Sequence, residues 1–383
     1  MRKLISVVAA IALTALAGTS AWAAGSNEQA KSIKIGVIFP LTGEVAADGM
    51  QGKNAAMLAV DELNAAGGIN GRKVQLFIED DGASPKGAVS AAQKLVDIDK
   101  VEAIIGSLFS SSIIAFRPVT DPKKIPVVAP MASHPDIYSK GGYVFSTSPT
   151  TPESANYLAE YWIKERKMMK VATFIGMSDA GIKYDQYIQD AWKRAGGEVV
   201  GHETFTPGAN DYRTSLVKIK AAKPDVLFLN ASFEDATKMI RQMTEIDLKV
   251  ALTADDMLKN QTLLDGVGDI AEGMVIVEPT HERSAEAQKK QEAYKKAWAT
   301  KYGGEPSVVG IYTYDDCQAL FAAIKRAGTT DGDAVRKQLV ATDFEGVSGT
   351  VKFRDDGSAI AGNSLSTIKN RHWVYLDYKS IAR

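Results

Sequence analysis

The stretch GSLFSSS, Gly106–Ser112, follows the apolar run VEAIIG and opens SIIAFRPV, whose apolar residues fall at helical spacing. A short apolar run ending in glycine reads as a buried strand, and a polar loop leading straight into a helix is the carboxyl end of a strand–helix unit. In open α/β sheets such strand ends form the ligand crevice, where helix N-termini present free N–H groups and a positive dipole end. Ser110, Ser111 and Ser112 therefore offer one hydroxyl to cap the helix and others, with backbone N–H groups, to receive an anion such as a carboxylate. Helix capping alone is the competing explanation, and the rest of the chain decides between the two.

The same alternation runs outward in both directions. IKIGVIF (Ile33–Phe39) reads as a strand, and the next helix sets Ala56, Ala59, Val60 and Leu63 on one face before stopping at Gly67-Gly68. KVQLFIED and IPVV continue the strands; after the loop SPTTPES, a helix places Ala155, Leu158, Ala159 and Trp162 together, followed by the strand KVATFI. Tyr184, Tyr187, Ile188 and Ala191 mark the next helix, and Ala236, Met239, Ile240 and Met243 the one after the strand PDVLFL. Near-continuous apolar strands between helices indicate parallel sheets covered on both faces. The expected architecture is two doubly wound α/β units split between Ser146 and Thr151. After MVIVEPT three helices are expected, near residues 285–301, 312–326 and 331–340, then the short strands TVKF and HWVYLDY. A helical segment after two α/β halves suggests that the chain crosses back into the first.

The first residues join Arg2 and Lys3 to an apolar run ending in Ala21-Trp22-Ala23-Ala24, the pattern of a cleaved secretory leader over residues 1–24. That run is shorter than the ~20 residues a membrane span needs. The 383-residue chain has a formal net charge of −1 and no basic run, which argues against a nucleic-acid partner. Cys317 is the single cysteine, so no internal disulfide or cysteine-based zinc cluster can form.

Motifs suggesting catalysis fail on context. GVGDIA (Gly266–Ala271) fits a dinucleotide fingerprint but lacks the preceding strand, and GMQGKN has Asn54 where a phosphate loop needs Ser or Thr. Ser133, His134 and Asp136 sit too close in sequence to orient one another, with no nucleophile elbow. The four histidines, His134, His202, His281 and His372, are scattered without metal-ligand spacing and read as loop or surface residues. No metal or cofactor is expected, nor any catalysis. What remains is a second polar loop, MASHPDI, after the strand IPVVAP at the neighbouring strand end. There the carbonyl near Met131 and the hydroxyl of Ser133 suit an ammonium group.

This order of motifs resembles the leucine/isoleucine/valine-type periplasmic solute-binding proteins of ABC importers. The signature IKIGVIFPLTGEVAADGMQGKNAAMLAVDELNAAGGINGRKVQLFIEDDGASPKGAVSAAQKLV, the loops GSLFSSS and VVAPMASHPDI, and later PDVLFLNASFEDATKMIRQM, ALTADDM and AEGMVIVEP all stand in the family's order. The resemblance implies a type I periplasmic binding protein: two Rossmann-like lobes, residues 31–147 plus 279–354 and 148–278 plus 355–383, joined by three crossovers around a ligand cleft. It implies a carboxylate held by Ser110 and by the loop with Phe109 and Ser111. It implies an ammonium held by Met131, Ala132 and Ser133 and by Asp255 or Asp256, with Phe233 as an aromatic contact. Asp48 or Ala47 replaces a first-lobe aromatic contact, Ala180-Gly181 replaces a tyrosine-glycine pair with Tyr184 displaced nearby, and a family disulfide is lost at Ala83 and Phe109. The implied function is periplasmic capture of a neutral or apolar amino acid for an inner-membrane permease, by a monomer. The alternatives are a receptor for aromatic or aliphatic carboxylates without an amino group, and a periplasmic sensory module.

Overall fold

The computed structural model describes residues 32–43, 45–280 and 284–378; the leader reading of residues 1–24 lies outside them. The first sheet holds β1 (Ile33–Phe39), β2 (Val74–Asp80), β3 (Ala103–Gly106), β4 (Val127–Ala129) and β5 (Val144–Ser146) in the order β2-β1-β3-β4-β5. All its pairings are parallel. Helices α1 (Ala46–Ala65), α2 (Pro85–Gln93) and α3 (Ser110–Thr120) return the chain between strands.

The second unit alternates α4 (Thr151–Glu160), β6 (Lys170–Gly176), α5 (Asp179–Arg194), β7 (Glu198–Phe205), α6 (Arg213–Ala222), β8 (Val226–Asn230), α7 (Phe233–Glu245), β9 (Ala251–Asp255), α8 (Gln261–Val267) and β10 (Val275–Thr280). The chain then forms α9 (Ala285–Tyr302), α10 (Val308–Ala327), α11 (Gly332–Val340) and a hairpin of β11 (Asp343–Glu345) with β12 (Thr350–Lys352). Finally β13 (Gly362–Lys369) and β14 (His372–Leu376) join the second sheet antiparallel, giving the order β14-β13-β10-β9-β8-β6-β7.

Side chains explain why the helices return to the first sheet. Cys317, Leu320 and Ile324 of α10 are fully buried with Ile35, Val37, Ile105 and Val128 of the strands, and α10 lies along α1. The chain therefore passes between the two sheets three times, after β5, after β10 and after β12. The opposite face of the first sheet closes on α2 through Ala88 and Ala92, on the turn after it through Leu95, and on α3 through Ile113 and Phe116. Trp162, Trp192 and Phe228 fill one face of the second sheet, and Met239, Ile240 and Leu216 the other.

The predicted helices are present with shifted ends: α10 begins at Val308 because the Ser307 hydroxyl accepts from the Gly310 N–H, and Asp331 caps α11 through the Ala334 N–H. GVGDIA forms the end of α8 and a following turn, with no strand before it.

At the end of β3, Gly106 has φ +108°, and a Cβ there would stand 2.0 Å from the Ile38 carbonyl oxygen. Both the backbone angle and the space exclude a side chain. Gly106→Ala is expected to destabilise the fold by about 2 kcal/mol or more, read as a lower denaturant midpoint; an unchanged midpoint would mean that β1 yields freely.

Candidate functional site

The start of α3 differs from the expected capped helix. Its N-cap is Phe109, and no side chain caps it, so the reading of a serine cap is corrected. Ser110 Oγ instead accepts from the His134 N–H at 3.2 Å, Ser111 is exposed, and Ser112 Oγ is buried without a partner. The backbone N–H groups of Ser110, Ser111 and Ser112 meet no acceptor among the described residues. With its lone pair engaged by His134, the Ser110 hydroxyl keeps its proton free to donate. Several donors at a positive helix end make an anion receptor.

The loop is held by a buried carboxylate. Ser107 donates to Asp81 Oδ2 at 2.6 Å, and the Ala83 N–H donates to Asp81 Oδ1 at 2.9 Å. This ties together the two loops that contain Ala83 and Phe109.

The neighbouring loop after β4 puts Met131 at φ +62°, a left-handed non-glycine conformation of the kind that clusters at functional sites. The Met131 carbonyl accepts no hydrogen bond from a described residue, whereas Tyr138 donates to the Ala132 carbonyl at 3.1 Å. Ser133 Oγ lies 3.0 Å from Thr151 Oγ1, and its carbonyl receives the Thr151 N–H at 2.9 Å, which links this loop to the start of α4.

On the second sheet the two candidate aspartates separate by role. Asp255, buried at the end of β9, accepts from Asn230 Nδ2 at 3.0 Å and caps the turn Asp256–Leu258 through the Met257 N–H. Burial pushes its carboxyl up to about 6 despite these bonds. Asp256 is pushed up to about 7, first by desolvation and then by the charges of Asp255 and Glu278, with Lys259 opposing. No hydrogen bond or ion pair from another described residue reaches its carboxyl, although the residue keeps partial exposure. An ionisable group ringed by protein yet unpartnered is poised for a cation.

Tyr184 of α5 stacks on Phe228, centroids 5.5 Å apart and 18° from parallel. Burial first, then the charges of Asp255 and Asp256, hold its phenol well above the ordinary value. Phe233 opens α7 after the Ser232 cap and is half-buried against the core. Asp48 is exposed in the first turn of α1, its carboxyl raised by partial burial.

Sequence reasoning missed a contact between the loop after β4 and α5. His134, read as a loop or surface residue, has a side chain only 16% exposed, and its ring faces Tyr187 of α5 at 5.9 Å. Burial lowers its pKa, with Asp136 opposing and Lys183 reinforcing. Ser110 thus accepts from the His134 backbone, and the His134 ring packs near that of Tyr187, one turn from Tyr184. The spacing signal gave Tyr184 and Tyr187 as a helix face but not what that face meets.

His202 pairs with Asp185 and Thr173, and His372 is exposed on β14; His281 lies outside the described residues. A separate cavity of about 520 Å³ sits among α1, α9, α10 and the β11–β12 hairpin. Its charged groups are already paired, Glu62 with Tyr314, Lys290 with Glu286, and Arg326 with the Gln338 carbonyl.

Residues 32–371 match the profile of a family described as periplasmic binding protein. The chain is 31% identical over 333 residues to Leu/Ile/Val-binding protein homolog 3 of Brucella melitensis, covering 85% of this chain and 88% of that one. Its fold is similar to that of a leucine binding protein from Thermotoga maritima, with a TM-score of 0.79 and 24% identity over 90% of this chain and 97% of the other. It is also similar to a branched-chain amino acid transporter substrate binding protein from Streptococcus pneumoniae, solved in complex with isoleucine. There the TM-score is 0.76 and identity 26%, over 90% of this chain and 100% of the other.

Proposed function

Because the chain belongs to the periplasmic binding protein family and has Leu/Ile/Val-binding proteins among its relatives, we propose that it is the solute receptor of an ABC importer that captures a neutral, apolar α-amino acid. The observation that carries this reading is the uncapped start of α3, with three N–H groups unmet among the described residues and the Ser110 hydroxyl free to donate, while on the second sheet no other described residue bonds the Asp256 carboxyl. One end suits a carboxylate and the other an ammonium.

Binding begins at the first lobe. The ligand carboxylate docks on Ser110 and the helix N–H groups beside Phe109 and Ser111. The ammonium meets the Met131 carbonyl and the Ser133 hydroxyl. The second lobe then adds Asp256, Tyr184 and Phe233, so closure is favoured only when a ligand bridges the two sides. Asp255 positions this end through Asn230 and the turn after β9. No bond is made or broken, and the closed lobes are what an inner-membrane permease reads in the periplasm, from a single chain. A micromolar affinity is about −8 kcal/mol, within reach of a few charge-assisted bonds and one buried apolar side chain.

Isothermal calorimetry on ligand-stripped protein tests the reading. Leucine-like amino acids are expected to bind, and Ser110→Ala to weaken them about tenfold to a hundredfold, the worth of one hydrogen bond to a charged group. Binding of amine-free carboxylates alone would remove the ammonium site; an unchanged affinity in Ser110→Ala would remove the anion site.

A further inference from the structure

Asp256 has a cation of its own chain within reach. Lys259 closes the turn Asp256–Leu258 that follows β9, its N–H donating to the Asp256 carbonyl at 3.0 Å. Side chains three residues apart in a turn of this kind lie over one another, and an acid and a base at that spacing are natural partners. Here they do not pair. Lys259 Nζ donates instead to the two carboxylate oxygens of Glu278, at 2.9 and 2.7 Å, and lies 4.9 Å from the centre of the Tyr375 ring on β14.

Strand register explains the choice. Val277 of β10 stands opposite Asp255 of β9, so Glu278 follows one residue further on, beside the turn that Asp256 opens. On its other side β13 runs antiparallel, and the buried Ser366 donates to Glu278 Oε1. The Glu278 side chain is only 12% exposed and that of Lys259 29%. A pair withdrawn from water in this way resists separation, because parting it leaves a charge stranded. Lys259 is therefore held toward β10, β13 and β14.

A lysine that filled the Asp256 carboxyl would shut out the ammonium of a ligand. We propose that Glu278 is a positioning residue that withholds Lys259 from Asp256, and so sets a preference for amino acids over carboxylates that lack an amino group. This rests on the amino-acid-binding reading above and adds the residue that decides its substrate class. Glu278 acts without touching the ligand: while it holds the lysine charge, the Asp256 carboxyl receives no bond from another described residue and stays open to a cation from outside.

The test is calorimetry of the stripped protein with leucine and with isocaproate, the acid of the same carbon skeleton without the amino group. Glu278→Gln keeps the size and an acceptor for Ser366 but loses the charge, and Lys259 is expected to turn to Asp256. Leucine affinity should then fall about tenfold or more, the worth of a close charge pair, while isocaproate, with no ammonium to place, should hold or gain. The double variant Glu278→Gln, Lys259→Met removes both charges and is expected to return the leucine-to-isocaproate ratio to within about threefold of the wild type. A merely loosened fold would weaken both ligands together, and the lysine substitution would not repair it. An unchanged ratio in Glu278→Gln overturns the proposal. So does a fall that the double variant leaves in place, since Glu278 would then meet the ammonium itself. Lys259→Met alone decides the matter if Glu278→Gln does not fold: leucine should bind at least as well as to the wild type, and a loss of about tenfold would mean that the lysine serves the ligand and would overturn the proposal. Wild-type binding separates the two readings. If leucine binds and the ratio ignores Glu278, only the positioning role falls; if the wild type binds isocaproate alone, the amino-acid reading falls and the positioning role with it.

Discussion

Asp256→Asn is expected to weaken amino-acid binding by about thirtyfold to a thousandfold at pH 8, the loss of about 2–4 kcal/mol when one partner of a desolvated charge pair is removed. The expectation follows from the division of labour between adjacent carboxyls. Asp255 already accepts from Asn230 and the Met257 N–H, whereas Asp256 receives no such bond. Asp255→Asn should therefore show itself first as a loosened turn after β9, with a lower melting temperature. The pH dependence gives an independent check. In the free protein Asp256 titrates near 7, and an ammonium favours its ionised form, so the bound-state value must be lower. Affinity is then highest above pH 7 and falls as pH drops through that value, about tenfold between pH 8 and pH 6. Asp256→Asn should flatten this profile. An amino-acid affinity that survives the substitution would reassign the ammonium to first-lobe groups.

Two further adjacent aspartates, both fully buried in α10, should respond in opposite ways. Asp315 accepts from the Val347 and Ser348 N–H groups at 2.8 and 2.7 Å and from the Ser348 hydroxyl at 2.5 Å, which holds the β11–β12 turn on the helix. Asp315→Ala strands two buried backbone donors and is expected to destabilise the protein by about 3 kcal/mol or more. Neither oxygen of Asp316 makes a hydrogen bond of good geometry among the described residues, and desolvation, only partly offset by the nearby Thr147 hydroxyl and reinforced by Asp315, raises its pKa well above the ordinary range. Asp316→Asn is expected to change stability by under about 1 kcal/mol near pH 5. The sign with pH is definite. A carboxyl whose folded pKa is raised contributes stability below its unfolded value near 4, and loses it as pH rises through the folded value. For Asp315, pushed up to about 6, that loss falls between about pH 4 and 6. Asp316 extends the decline upward, so Asp316→Asn should gain on the wild type as pH rises. Equal denaturation midpoints for the two variants across pH would contradict this contrast.

The parallel strands were legible because each is a short, nearly continuous apolar run, and buried strands covered on both faces leave that signature. β7 and β13 were not, since EVVGHETF and GNSLSTIK are mostly polar: β7 is an edge strand and β13 pairs antiparallel. Polar, serine-bearing loops marked two strand ends, and with them Ser110 and Ser133, whereas Asp255 or Asp256 came only with the family resemblance. The α3 cap was misread because a hydroxyl in the right place says nothing of where it turns; here His134 from another loop engages Ser110.

By itself the sequence determined the alternation of strands and helices, the strand ends that bear polar loops, and the family, because periodicity and local turn chemistry are properties of neighbouring residues. Tertiary structure alone decided that Asp255 accepts from Asn230 while no other described residue bonds Asp256, and that His134 meets Tyr187. Those relations depend on strand order and packing between segments far apart in the chain, where burial and charge act through space and leave no mark on the order of residues.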